Sequence, residues 1–165
     1  MSADLKPEPD WVVLRRRLEK GPRDFAAVAR YDETDLPLDE LNIIGEDTLM
    51  VFGWLASRAF WVWQQAVAAG NPRATTLHAY RTFPAPALKK KDREVLEEAA
   101  RTVLLSRSHL MGEGLEALYE TPPEQLVWAH TELDRVVDHL LGIPEGVDEE
   151  QAARVLLTSY ELLVA

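Results

Sequence analysis

The sequence of 165 residues contains no cysteine. Disulfide bonds, thiol nucleophiles, iron–sulfur clusters and cysteine-ligated zinc are therefore excluded. A chain of this length buries roughly two-thirds of the surface that its unfolded form exposes, so a hydrophobic core alone can hold the fold. The first ten residues, MSADLKPEPD, are polar and acidic, unlike a signal peptide. We therefore expect a cytoplasmic protein.

Catalytic motifs are also missing from the sequence. It has no glycine-rich phosphate loop, no GxSxG and no HExxH. The four histidines lie apart, and His130 falls on an apolar helix face, which favours a buried structural histidine over a metal ligand. Adjacent acidic pairs such as Glu97/Glu98 diverge around a helix and are typical of a solvated face. We expect no catalytic residue, no metal and no cofactor.

No uninterrupted hydrophobic run reaches the roughly 20 residues that a membrane-spanning helix needs. The most apolar stretch has Arg58 near its centre, and an arginine there costs about 2.5–3.5 kcal/mol in a bilayer. With Asp47 or Thr48 as a cap and Gly70 as a stop, it predicts one buried helix over 47–69. The predicted β structure is too small to enclose its aromatic side chains, so we expect an interface with another chain. The interface candidates are Trp54, Phe60, Trp61 and Trp63.

The remaining patterns predict a fold class that is mainly α (α+β). Short apolar runs before residue 46 predict a small irregular part of β structure and loops, and residues 71–86 predict a loop closed by prolines. Beyond residue 90, apolar residues recur at the helical period between capping signals, which predicts three helices in an antiparallel bundle. These signals are Asp92, Thr121 before Pro122, Gly142 and Asp148. We expect two parts, 1–90 with the buried helix and 91–165 as the C-terminal helical bundle.

The net charge of −10 is unevenly distributed along the chain. Residues 1–91 carry 13 Lys/Arg against 12 Asp/Glu, whereas residues 92–165 carry 5 against 16. An acidic segment repels nucleic acid, because phosphate neutralisation requires clustered Lys and Arg. Any contact with DNA therefore belongs to residues 1–91. The alternative is that the basic residues there are ordinary solubilising charges. The DNA-binding candidates are Asn71, Arg73, Tyr80, Arg81, Lys89, Lys90 and Lys91.

Several motifs follow one another in the sequence, namely TLMVFGWLASRAFWVW (48–63), Gly70, Arg73, Tyr80 and FPAP (83–86). In this order they resemble the late target-recognition region of the type IIG/IIL restriction–modification DNA methyltransferases. That family has an LxxFGxLxSxxFxxW helix, a glycine, a loop with Arg and Tyr, and an F-P-x-P element. Four further motifs resemble the family's C-terminal helical segment: AARTVL (99–104), LEALY (115–119), PP (122–123) and AHTELDRVV (129–137). The resemblance extends from about residue 25 to the last residue.

The resemblance implies that the loop reads base edges while the C-terminal helices brace it against a methyltransferase domain. In that family the nuclease and the methyltransferase, with its Asn-Pro-Pro-Tyr motif, lie upstream, whereas Asn71-Pro72 is followed by Arg73 here. We therefore expect a non-catalytic DNA-specificity or assembly subunit, or a fragment, of a DNA methyltransferase in a restriction–modification or phage-defence system. Its expected partners are a methyltransferase or restriction subunit, double-stranded DNA within the complex, or a second copy of the chain, and no membrane.

The acidic balance leaves one alternative open. An acidic helical protein of this size can act as an interaction protein that mimics DNA, presenting Asp and Glu in place of phosphates to a DNA-binding partner. A contact between DNA and the first part of the chain distinguishes the two hypotheses, because the specificity subunit requires it and the mimic lacks it.

Overall fold

A computed structural model describes residues 11–14, 28–30, 41–44, 48–74, 76–108 and 115–165 of the chain. It contains a three-stranded sheet and seven helices within these ranges. The strands are β1 (Trp11–Leu14), β2 (Val28–Arg30) and β3 (Leu41–Ile44). The helices are α1 (Leu49–Leu55), α2 (Arg58–Gly70), α3 (Thr76–Thr82), α4 (Lys90–Ser108), α5 (Leu115–Glu120), α6 (Glu124–Leu141) and α7 (Glu149–Val164). The prediction of a mainly α fold is confirmed.

The sheet is antiparallel with β1 at its centre, in the order β2-β1-β3. Trp11 is paired with Arg30 on one side and with Ile44 on the other. The outer strand β3 packs against α3, which joins the sheet to the helices. The small amount of β structure expected near the N-terminus is therefore present.

The single helix predicted over 47–69 is wrong, because the structure divides it into α1 and α2. The side chain of Ser57 caps the second helix by accepting a hydrogen bond from the backbone N–H of Phe60 at 3.2 Å. Arg58 is the first residue of α2, and its backbone N–H donates to Oδ1 of Asp134 at 2.7 Å. A serine hydroxyl and a carboxylate thus satisfy donors at the new helix start.

Three other boundaries differ from the predicted ones. Helix α3 forms inside the predicted loop 71–86, where it is held by contacts with α2. Helix α4 begins two residues before Asp92, whose carboxylate instead lies in the first turn, near the positive end of the helix dipole. The N-cap of α6 is Pro123 rather than Thr121. Pro122 precedes another proline, and a residue in that position is disfavoured in helical conformation.

The remaining capping signals act as predicted. Thr48 caps α1 by accepting a hydrogen bond from Val51 N–H at 3.1 Å. Gly142 ends α6 in the left-handed conformation, with φ of 72°. Asp148 forms a capping box with Gln151 at the start of α7. These local signals depend on near neighbours in the sequence, which explains why they could be read from it.

The helices share one hydrophobic core that joins the two predicted parts of the chain. Helix α4 packs against both α6 and α1. Helix α7, predicted as the third member of a C-terminal bundle, packs most extensively against α2. Its buried residues Ala152 and Leu156 belong to the shared core. The bundle-like packing therefore includes the aromatic helices rather than residues 91–165 alone.

The aromatic side chains are enclosed by the chain itself. Trp54, Phe60 and Trp63 are 4%, 0% and 2% exposed. The ring of Phe83 meets Trp54 and Phe60 edge-on, at centroid distances of 5.9 and 5.4 Å, and Tyr160 of α7 lies 5.5 Å from Trp63. The prediction that these residues form an interface with another chain is therefore wrong for the three buried rings, and Trp61 is partly buried against the same core.

A buried polar cluster links the sheet to four helices. Arg107 of α4 is 3% exposed and donates a hydrogen bond to the carbonyl of Val28 at 2.7 Å. Its guanidinium carbon lies 5.6 Å from the ring centroid of Phe52 and 5.7 Å from that of Tyr119. The Tyr119 hydroxyl is hydrogen-bonded to Nε2 of His130 at 2.7 Å. His130 is thus a buried structural histidine, as predicted.

We predict that Gly53→Ala destabilises the protein. A Cβ atom at this position would lie 2.8 Å from Cδ1 and 3.1 Å from Cγ of Leu96, which is fully buried at the contact between α1 and α4. Overpacking of this kind costs about 1–3 kcal/mol, and the better helix propensity of alanine offsets up to about 1 kcal/mol. The free energy of unfolding, measured with denaturant, should fall. The matched control is Gly70→Ala, where the added Cβ meets nothing within 4 Å. In this variant the free energy of unfolding should stay the same or rise.

A second prediction concerns Tyr119, whose pKa is raised above 10.0 by burial. Tyr119→Phe removes the buried partner of His130 and should lower the free energy of unfolding at pH 7 by about 1–3 kcal/mol. The unfolded chain releases the phenol proton near pH 10, whereas the folded chain retains it, so the wild type loses stability as pH rises beyond 10. Phenylalanine has no such proton, so the difference in free energy of unfolding between the wild type and Tyr119→Phe should narrow above pH 10.

Denaturant titrations between pH 7 and 11 test this prediction. The control Tyr160→Phe removes a phenol while leaving Tyr119 in place, so it should keep the alkaline decline of the wild type. A stability difference between wild type and Tyr119→Phe that stays constant up to pH 11 would contradict the assignment.

Candidate nucleic-acid interface

A tight turn at the end of α2 presents Arg73 to solvent. The backbone N–H of Asn71 caps the helix by donating to the carbonyl of Val67 at 2.9 Å. The Asn71 carbonyl accepts from Ala74 N–H at 2.9 Å, and its side-chain oxygen accepts from Arg73 N–H at 3.1 Å. Asn and Pro at the first two positions are typical of such a turn. The Arg73 side chain is exposed on a hydrogen-bonded backbone.

Helix α3 carries Tyr80 and Arg81, and the buried indole of Trp63 forms hydrogen bonds to this helix. Nε1 of Trp63 donates to the carbonyl of Ala79 at 3.0 Å and to Oγ1 of Thr82 at 3.2 Å. These two acceptors flank Arg81, whose side chain is exposed in the last turn of the helix. Tyr80 is half-buried and packs against the core. Arg81 is therefore held at the surface, and the packing of Tyr80 against the core helps to fix the helix that carries Arg81.

The segment 83–89 connects α3 to α4 and places three lysines at its end. Phe83 anchors the segment in the aromatic core. Lys89, Lys90 and Lys91 are exposed, and Nζ of Lys90 lies 3.9 Å from a carboxylate oxygen of Glu94. An exposed pair at this spacing contributes little to stability. The lysines can therefore interact with an external anion.

The structure thus assigns the DNA-binding candidates to two neighbouring segments of the chain. Asn71, Arg73, Tyr80 and Arg81 belong to the α2–α3 unit, Lys89 ends the connecting segment, and Lys90 and Lys91 begin α4. A guanidinium can make paired hydrogen bonds to phosphate or to a guanine edge, whereas a lysine acts as a point charge on phosphate. The α2–α3 unit is accordingly the part suited to reading bases, and the lysines are suited to backbone contacts.

Sequence reasoning missed the residues that position this unit from its other end. The guanidinium of Arg58 donates to the carbonyl of Val147 at 3.3 Å and lies 3.8 Å from Asp138. Together with the bond from Arg58 N–H to Asp134, these contacts fasten the start of α2 to α6 and to the α6–α7 connection. Asp134 lies on the buried face of α6, four residues after His130 and three before Val137. A carboxylate in an apolar stripe was the signal that could have identified it.

Within the described part of the chain, no group of three or more His, Cys, Asp or Glu residues could hold a metal ion. None of the helices in the described ranges is both long and apolar enough to cross a membrane.

Comparisons with known proteins agree with the resemblance seen in the sequence. Residues 88–165 match the family model for the C-terminal domain of MmeI. DNA methyltransferase A of Bacillus subtilis (strain 168) is 31% identical over an alignment of 126 residues that covers 73% of this chain and 14% of the relative. The structure of the type IIL restriction–modification enzyme MmeI, solved in complex with DNA, superimposes with a TM-score of 0.77. It is 24% identical, over 96% of this chain and 22% of that one, a likeness that concerns the fold.

The chain therefore spans less than a quarter of the length of either protein. The family match falls on the region of the C-terminal helical motifs, which lie between residues 99 and 137. Together the family match and the sequence identity show that this chain is related to the C-terminal part of the type IIG/IIL restriction–modification DNA methyltransferases.

Proposed function

We propose that the chain is a non-catalytic DNA-specificity and assembly part of a DNA methyltransferase in a restriction–modification or phage-defence system. The observation that carries the proposal is the α2–α3 unit, in which buried Trp63 holds an exposed Arg81 in place and a tight turn presents Arg73. The similar fold of MmeI was solved bound to DNA, which supports a contact of this kind.

The proposed mechanism is positioning rather than chemistry. Side chains that read bases must be held to within a fraction of an ångström, and rigid elements hold them better than mobile loops. Here the hydrogen bonds of Trp63 and the Phe83 contacts join the candidate segment to the aromatic core. Arg73 and Arg81 would then contact base edges or phosphates, with Lys89–Lys91 contacting phosphates.

The charge of the chain makes DNA binding dependent on a partner. With a net charge of −10, the isolated chain should bind DNA weakly, because neutralising phosphates requires a surplus of cations. A methyltransferase or restriction subunit would supply most of that positive charge. A role on DNA also agrees with the cytoplasmic location expected from the sequence. The DNA-mimic alternative gains no support from the relatives, which are themselves DNA methyltransferases or restriction–modification enzymes.

We predict that Arg73→Ala combined with Arg81→Ala weakens binding of the assembled enzyme to its own DNA site. Loss of a paired base contact costs about 1–3 kcal/mol and relaxes sequence preference at one position. Loss of a phosphate contact weakens all sequences alike and lowers the slope of log K against log salt by about 1 per residue. Titrations of specific and unrelated DNA at several salt concentrations distinguish the two cases.

The matched control for these arginines is Arg101→Ala combined with Arg154→Ala. It removes the same charge from exposed positions on α4 and α7, where each arginine pairs with a glutamate of its own helix. This control should leave affinity and sequence preference unchanged. If the double variant at 73 and 81 behaves like the control, the recognition role is wrong.

A further prediction is that the isolated chain neither methylates nor cleaves DNA and does not bind S-adenosylmethionine. The sequence has neither the Asn-Pro-Pro-Tyr motif nor a glycine-rich nucleotide-binding loop. Calorimetric titration with S-adenosylmethionine should show no saturable heat, and tritium transfer to DNA should match a blank. Saturable cofactor binding by the pure chain would refute the non-catalytic assignment.

A further inference from the structure

An open groove between α4 and α6 combines exposed apolar side chains with acidic ones. Trp128 is 58% exposed and Val95 is 46% exposed, and both line the groove together with Val136. Glu94, Glu98 and Glu132 line it as well. The volume of the groove is about 440 Å³. We refer to this surface as the α4/α6 groove.

The apolar character of the groove extends along α4. Leu105 is 55% exposed and follows Glu98, which lines the groove, by seven residues, so it lies on nearly the same face of the helix as Glu98. The core is made by the other faces of the two helices, which bury residues such as Leu96 and Leu133. Large apolar side chains that the core does not use, grouped on one face, mark an interaction surface.

The packing of α7 explains why this surface is open. The sequence predicts α7 as the third helix beside α4 and α6, but α7 lies against α2, with Tyr160 on the ring of Trp63. The paired helices α4 and α6 therefore keep an outer groove of the shape that accepts another helix.

We propose that the α4/α6 groove binds a helix of a partner protein that carries an apolar stripe flanked by Lys or Arg. The lining contains three glutamates and one lysine, Lys91, so its formal charge is −2. Each of the three glutamates contacts a cation of its own helix: Glu94 contacts Lys90, Glu98 contacts Arg101 and Glu132 contacts Arg135. A carboxylate has about four acceptor sites, so each can still accept hydrogen bonds from a basic partner.

The same charges exclude two other occupants. DNA phosphates would face three carboxylates of like sign. A second copy of the chain, docked through the same face, would juxtapose glutamates with glutamates, which costs binding energy. A basic amphipathic helix matches both the apolar stripe and the charge. This inference is independent of the DNA contacts proposed for Arg73 and Arg81, because neither arginine lines the groove and the ligand is of another class. Lys91 is the residue that both proposals use.

The test uses the full chain and a labelled synthetic helical peptide of about five turns, or about 18 residues. The probe has leucines along one stripe and lysines beside it. A matched peptide replaces the lysines with glutamates. Fluorescence anisotropy should show saturable binding of the lysine peptide and at least tenfold weaker binding of the glutamate peptide. Absence of binding by the lysine peptide at millimolar protein, or equal binding of both peptides, would overturn the proposal.

Variants of the chain locate the binding site. Trp128→Ser with Val95→Ser should weaken binding of the lysine peptide at least tenfold. The matched control is Leu157→Ser with Leu162→Ser, which removes exposed apolar side chains from α7 and should leave binding unchanged. A loss of binding in the control and not in the groove variant would place the peptide on α7 and overturn the proposal.

Charge reversal gives a second measurement that does not depend on removing apolar groups. Glu94→Lys with Glu132→Lys should shift preference from the lysine peptide to the glutamate peptide, and thermal unfolding checks that each variant is folded. An unchanged preference in a folded variant would overturn the charge argument. Sedimentation of the unliganded chain tests self-association, and a dimer that Trp128→Ser dissociates would show that the occupant is a second copy instead.

Discussion

The buried guanidinium of Arg107 is the interaction on which the arrangement of the helices and the sheet depends. It donates to the carbonyl of Val28 and lies between the rings of Phe52 and Tyr119. A cation removed from water is costly unless its hydrogen bonds are satisfied, so these groups are constrained to stay around it. Because Tyr119 is bonded in turn to His130, the constraint passes from β2 through α4 and α5 to α6.

The indole of Trp63 performs a similar task nearer to the candidate DNA-binding residues. Its ring belongs to the aromatic core, while its N–H holds the end of α3, so exposed Arg81 is attached directly to the interior. The chain therefore separates two kinds of surface. The α2–α3 unit with Lys89 and Lys90 is basic and suits DNA, whereas the α4/α6 groove, which Lys91 also lines, is acidic and apolar and suits a protein helix.

Features that depend on near neighbours were predictable. The caps at Thr48 and Asp148 and the left-handed Gly142 involve contacts within a few residues, so their signals are complete in a short stretch of sequence. The exposure of Arg73 agrees with its place after Asn71 and Pro72 in a turn, whereas Arg81, expected in a loop, lies in the last turn of α3. The burial of Arg107 had a signal as well, since it follows Val103 by four residues on the buried face of α4.

The sequence by itself determined that the chain is mainly α, where α1 and α7 begin, and where α6 ends. Tertiary structure decided the rest. Asp134 helps to start α2 at Arg58, 76 residues earlier in the chain, and Phe83 and Tyr160 cover the aromatic rings expected to need another chain. Such contacts join segments far apart in sequence, and helical periodicity reports only that a face is apolar. Which neighbour covers that face is determined by how the helices pack together.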